Sequence, residues 1–244
     1  MVKIGRPEEV THAKALIFGA PGGGKTFMLG TLNDDPRTSP TLILDFEGGV
    51  QTLVGRDIDV ARIRTWQDFE EAHDELDRPD SAYKSVGVDS LSEAQIGGLF
   101  QLLDKKGRRS SEADKIEREE WGLILVQMRR FVRGFLDLGI HTFMTALTKD
   151  DLDPRAGRVA IPAFQGAFQK EVAGTFDTVA YLGRVTADDG SVERILILHG
   201  DPAFQTKARS AMGLAVPEEI IDPTAGLLLD ALGFKAATKP RKGT

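Results

Sequence analysis

Residues Gly19, Ala20, Pro21, Gly22, Gly23, Gly24, Lys25 and Thr26 satisfy the pattern G-x-x-x-x-G-K-[ST] without substitution. The apolar run Ala15-Leu16-Ile17-Phe18 precedes them and the helix-compatible Thr26-Phe27-Met28-Leu29 follows, so the pattern lies between a buried strand and a helix start. Glycines there let the backbone close around an anion and turn its N–H groups inward, and the helix start adds its positive dipole end. Lys25 is expected to reach terminal phosphates, and Thr26 to offer its hydroxyl to Mg²⁺. A chain organised this way needs a parallel strand–loop–helix unit.

The full chain has 244 residues, enough for one large α/β domain. Residues 1–12 read as a polar lead-in, 13–215 as the core, and 216–244 as a C-terminal helix with a basic tail. Cysteine is absent, which excludes disulfides and thiolate metal sites. The N-terminus lacks the apolar centre of a signal peptide, and no run approaches the ~18 apolar residues of a membrane span. A cytoplasmic protein with no membrane partner is therefore expected. The formal net charge of −6 argues against coating duplex DNA by bulk attraction, although cations cluster at Lys105, Lys106, Arg108 and Arg109, at Arg129, Arg130 and Arg133, and in the tail at Lys235, Lys239, Arg241 and Lys242.

Two further strands end in acids. Residues 41–44 form a buried run delivering Asp45 and Glu47, with Gly48-Gly49 after them, and residues 85–88 deliver Asp89. Ligands of open α/β sheets bind outside the carboxyl ends of the strands. Asp45 and Glu47, at i and i+2, leave a strand on one side, so both are expected to face the nucleotide. A carboxylate at Glu47 suits a general base for water, and Asp89 suits a Mg²⁺ contact. The alternative for Glu47 is a surface cap on a glycine turn.

Elsewhere the pattern predicts an edge strand over residues 58–63, a helix over 67–76, and a helix over 91–103 opened by a capping box of Ser90 and Glu93. A long amphipathic helix over 113–138 buries Ile116, Ile124, Met128, Phe131, Phe135 and Leu138, and a strand follows over 140–147. Residues 148–165 show no periodicity and read as a long loop. Arg155, Arg158, Phe164 and Lys170 in and beside it are the mixture that tracks a single-stranded backbone and stacks a base. The remainder predicts a β-hairpin over 178–182 and 193–199, then a short helix near 223–232. Lys207 and Arg209 are spaced to project together from an extended segment.

The loop at residues 19–26, the run Leu44-Asp45-Phe46-Glu47-Gly48-Gly49, Val88-Asp89-Ser90 and Lys207-Ala208-Arg209 together resemble the RecA-like ATPases. Glu120-Trp121-Gly122-Leu123 and residues 176–182 extend the likeness to the compact phage-borne Sak-type recombinases, often labelled phage nucleotide-binding proteins. The resemblance implies a mostly parallel α/β sheet of the P-loop NTPase kind, flanked by helices, with strand 140–147 between the phosphate-loop strand and the Asp89 strand and with a C-terminal hairpin. It implies ATP and Mg²⁺ as cofactors, Glu47 as the activating carboxylate, and a homo-oligomeric ring or filament with ATP at subunit interfaces. Lys207 and Arg209 match the Lys-x-Arg pair with which one subunit contacts its neighbour's γ-phosphate. Single-stranded DNA is the implied partner, contacted through the loops after Leu103 and Leu147, with a single-strand-binding protein as a further candidate. In a phage setting the location is the host cytoplasm.

One departure stands out. Relatives often end the fourth strand with a His or Gln that senses the γ-phosphate, whereas this chain has Thr145-Ala146-Leu147-Thr148. Sensing then falls to Thr145 or Thr148. Two other functions share the loop: a nucleotide or small-molecule kinase, and a non-catalytic ATP-gated assembly or helicase-loading module.

Overall fold

A computed structural model describes residues 10–107, 117–187 and 189–235. Three continuous buried runs form its centre: β1 (Lys14–Gly19), β2 (Thr41–Asp45) and β4 (Ser85–Asp89). Strands without alternation must be covered on both faces, as in a parallel sheet between helices. β5 (His141–Asp153) inserts between β4 and β1, pairing Gly19 with Leu147 on one edge and Val88 with Met144 on the other, all parallel. β3 (Asp59–Arg62), mostly exposed, closes the edge beside β2. On the other side of β1 come β7 (Thr178–Thr186), β8 (Val192–Ile197) and β9 (Glu219–Ile221), giving the order β3-β2-β4-β5-β1-β7-β8-β9. The sheet is parallel through β7 and antiparallel beyond it. This is the expected α/β P-loop NTPase architecture, with strand β5 in the expected place and the hairpin of β7 and β8 at the C-terminal side.

Alternation along the central strands sends side chains to two faces. Leu16, Phe18, Leu44, Val88 and Met144 pack under α2 (Trp66–Asp77), α3 (Leu91–Lys105), α4 (Arg118–Leu136) and α5 (Phe168–Thr175). Ala15, Ile17, Ile43, Phe143, Ala180 and Leu182 pack under α1 (Lys25–Gly30) and α6 (Ala225–Ala231). The first face is aromatic: Trp66 stacks on Phe131 at 4.4 Å and Phe69 on Phe135 at 4.6 Å, locking α2 to α4. Trp66 fits because residue 98 of α3 is glycine; a Cβ there would lie 2.3 Å from the indole.

Several predicted elements need correction. Residues 148–165 are not a loop: β5 runs on to Asp153 and pairs antiparallel with β6 (Gly157–Pro162), from Thr148 opposite Pro162 to Asp153 opposite Gly157. The β5 extension turns to solvent and carries no apolar alternation, and β6 offers only the short alternation of the buried Val159 and Ile161. α4 begins at Arg118 among the described residues; Ile116 lies outside them. Ser90 does accept from the Glu93 N–H, but the reciprocal half of the box is missing, while reciprocal boxes open α2, between Thr65 and Asp68, and α4, between Glu117 and Glu120. α5 and β9 had no sequence signal strong enough to be read.

Candidate nucleotide site

The loop after β1 takes its shape from glycine. Gly22 and Gly24 have φ of 72° and 101°, values that side chains rarely adopt, and Gly24 opens α1 with no side-chain cap. Gly19 approaches β7 so closely that a Cβ would meet the Leu182 carbonyl oxygen at 2.2 Å. Lys25 is 6% exposed, and its ammonium donates to the Gly19 and Ala20 carbonyls at 3.0 Å each. Burial lowers its pKa, while the nearby Glu47 and Asp89 carboxylates oppose that shift.

Parallel register brings the other strand ends to the same level. Asp89 at the end of β4 accepts from the Thr26 hydroxyl at 2.5 Å through Oδ2 and from the Thr145 hydroxyl of β5 at 2.5 Å through Oδ1. Glu47 accepts from the Ser90 hydroxyl at 2.5 Å. The residue as a whole is exposed, yet its carboxyl is partly withdrawn against the cleft; that withdrawal raises its pKa, with the Asp89 charge adding and the Ser90 bond opposing.

Asp45 does not join Glu47 in facing the cleft. It is 2% exposed, accepts from the Gly48 N–H at 2.7 Å and pairs with Arg62 at 2.8 Å, so it shapes the Gly48 turn that carries Glu47. The i, i+2 argument fails because β2 ends at Asp45, and Glu47 already stands on the turn. Thr145 and Ser90 carry the hydroxyls that connect the site. Thr148 instead directs its hydroxyl to the Ile161 carbonyl in the β5–β6 hairpin.

Among the described residues no group of three or more His, Asp or Glu is gathered as a metal cluster.

A family model described as an AAA domain matches residues 11–210. The chain belongs to that family. No curated protein matches it. The match takes in β1 through the Lys207 segment, so loop, carboxylates and hairpins are all parts of one AAA domain. It assigns the chain to the nucleotide-binding P-loop ATPases at that level.

The remaining candidate residues of this AAA domain are dispersed. Lys207 pairs with Val179 of β7, itself beside Leu16, three residues before the loop at Gly19, or about 10 Å back along the strand. Running antiparallel, the segment carries Arg209 farther back, to Asp177 at 3.5 Å. Neither cation is brought to the chain's own loop. Lys106 is bound to the buried Glu120 at 3.0 Å, and Lys105, at the end of α3, is exposed beside it. Arg108 and Arg109 lie outside the described residues, as do Lys239, Arg241 and Lys242. Arg155 caps the β5–β6 hairpin, and Arg158 pairs with Asp150 at 3.3 Å. Lys170 is exposed on α5.

Phe164 is a correction. It is 1% exposed and packs edge-to-face on Phe168 at 5.0 Å inside the core, so it has no face to offer a base. His141 is structural, accepting from the Ala13 N–H at 3.1 Å. No helix among the described residues is long and apolar enough to cross a membrane.

Proposed function

We propose that this AAA domain hydrolyses ATP to ADP and phosphate with Mg²⁺, in a homo-oligomer that acts on single-stranded DNA in phage recombination, annealing or replication. The observation that carries the hydrolytic part is the junction Thr26–Asp89–Thr145 beside Ser90–Glu47, which sets a buried ammonium, a metal-binding hydroxyl and two carboxylates around one loop. The residues fit the group they would receive: two positive-φ glycines turn N–H groups inward, and Lys25 rests only on carbonyls of its own loop. Mg²⁺, held by Thr26 and through water by Asp89, would supply charge neutralisation on the phosphate oxygens.

Glu47 serves as the base toward water. Its raised pKa brings it closer to the working pH, where a base accepts a proton most effectively, and Ser90 holds its orientation. Lys207 and Arg209 serve a neighbour's site, since the antiparallel segment carries them away from their own. The DNA-facing groups are Lys105 and the hairpin arginines Arg155 and Arg158, with Lys170 as an outer contact. The β5–β6 hairpin overhangs β1 by six residues, about 20 Å, on the loop side of the sheet. A single-strand-binding protein is a natural further partner for such an activity.

Phosphate release measured with and without oligonucleotides tests the proposal. Stimulation by single strands and abolition by Lys25→Ala are expected. Transfer of phosphate to a small acceptor would assign a kinase instead, and fluorescence anisotropy showing no oligonucleotide binding with or without ATP would remove the DNA partner. Mixing inactive Lys25→Ala with inactive Arg209→Ala subunits should restore part of the turnover; no restoration would remove the trans role.

A further inference from the structure

The order of strands fixes how a nucleotide lies on this loop. Asp89 and Glu47 follow β4 and β2 on one side of β1, while β7 and β8 stand on the other. A triphosphate whose terminal phosphate meets Lys25, Asp89 and Glu47 therefore extends its nucleoside toward β7 and β8. There β7 outruns β1. Their pairing stops at Phe18 opposite Tyr181, and residues 182–186 continue alongside the loop.

Two arginines occupy that overhang. Arg184 donates to the Gly22 carbonyl at 2.5 Å, and its register partner across the hairpin is Arg194. By strand parity with Leu182 and Leu196, both project on the face that α1 covers. The Arg194 guanidinium lies 4.1 Å from the centroid of Phe27, the residue that follows Thr26, and its Cδ is 3.1 Å from where a Cβ on Gly24 would be. Like charges directly opposite on paired strands repel. The carboxylate beside Arg194, that of Asp222, stands 3.9 Å away and is largely exposed, so it offsets little of that repulsion. An anionic, flat-faced ligand would use both the charges and the planes.

We infer that Arg184 and Arg194 form the nucleoside subsite: Arg194 receives the base on its guanidinium plane, and Arg184, beside the loop, donates to the α-phosphate and ribose oxygens. The inference rests on the nucleotide reading above. Guanidinium offers donors and a face but no acceptor, so it cannot read the full edge pattern that separates adenine from guanine. The subsite accepts purine nucleoside triphosphates with little discrimination, and pyrimidines, with less stacking area, bind more weakly.

Calorimetric titration of ATP, GTP, CTP and inorganic tripolyphosphate into wild type, Arg194→Ala, Arg194→Lys and Lys25→Ala tests this. Arg194→Ala should weaken ATP and GTP about tenfold, the scale of one lost base–arginine stack, and tripolyphosphate less than twofold. Retained tripolyphosphate binding also certifies an intact loop. Arg194→Lys, which keeps the charge without the plane, should recover only a small part of the loss. Equal weakening of tripolyphosphate and ATP, full recovery by lysine, or ATP binding within twofold of wild type in Arg194→Ala would overturn the subsite. A Lys25→Ala protein that binds ATP normally would instead overturn the nucleotide reading itself.

Discussion

The two flanks of the phosphate loop are built on different principles. On the β2 and β4 flank, functional groups stand at or just past strand ends, and parallel pairing of Asp45 with Asp89 brings those ends level. On the β7 and β8 flank they stand mid-strand on a hairpin that overshoots β1, so their approach depends on register between distant segments. The first flank carries carboxylates and hydroxyls, suited to moving a proton and holding a metal. The second carries guanidiniums, one of them against the Phe27 ring of α1, suited to gripping a ligand. Turnover and affinity should therefore separate across β1.

The largest break in that contrast comes from Glu47→Gln. It keeps size and a Ser90 partner but removes the base, so turnover should fall by roughly 10²–10⁴-fold while ATP affinity stays near wild type. Phosphate release beside equilibrium binding measures both. Normal turnover in this variant would strip Glu47 of its role and leave the carboxylate flank without a base.

Next comes Gly19→Ala, which strikes both flanks together. Its Cβ would meet the Leu182 carbonyl at 2.2 Å, and that atom is backbone in a paired strand with no rotamer to yield. Separation of β7 from the loop should cost about 3 kcal/mol or more of stability, with loss of nucleotide binding. Thermal denaturation with and without ATP would show it. An unshifted midpoint would mean that β7 is not seated on the loop as described.

These two residues also mark what was legible in the sequence. The loop, Glu47 and Asp89 were readable because each sits in consecutive residues: an apolar run followed at once by the chemistry it delivers. Sheet class followed from the same runs, and the β4-β5-β1 order from the resemblance they support. Arg184 and Arg194 were not readable, because nothing local marks an arginine whose partner is a carbonyl 162 positions away. Thr145 was only half legible: the missing polar side chain at the end of the fourth strand pointed to it, but its bond to Asp89 needed the β4–β5 pairing. Phe164 misled for the converse reason. Aromatic residues next to cations look alike whether they stack outward or fill a core, and only burial separates them.

A pH series tests whether acid acts on the site or on the fold. His141 sits at the opposite end of the sheet from the loop, and burial, with His12 and Arg37 adding, lowers its pKa from 6.5 to about 4. The folded state thus prefers neutral His141, and the unfolded chain binds the extra proton first. Its contribution is full above pH 6.5 and is lost progressively toward pH 4, a change of ~3 kcal/mol. Urea denaturation across that window should show the decline, and His141→Gln should flatten it. A wild-type profile flat between pH 6.5 and 4 would refute the assignment. Turnover must be compared at pH values where the fold is intact before any acid-side loss is ascribed to Glu47, whose pKa burial raises.

The smallest effect is also the sharpest test of the divide. Thr145 donates to the Asp89 oxygen that Thr26 does not use, so the carboxylate is held from both sides in one orientation. Thr145→Val keeps the branched shape but leaves that oxygen without its donor in a buried setting, a loss of roughly 1–2 kcal/mol. If the orientation of Asp89 matters chiefly to chemistry, turnover should fall about tenfold with ATP affinity changed less than threefold. Thr145→Ser, which restores the hydroxyl and omits the methyl, should return most of the rate. An equal loss in valine and serine variants would assign the effect to packing against β4, and a loss of affinity without loss of rate would mean that the carboxylate flank, too, is mainly for binding.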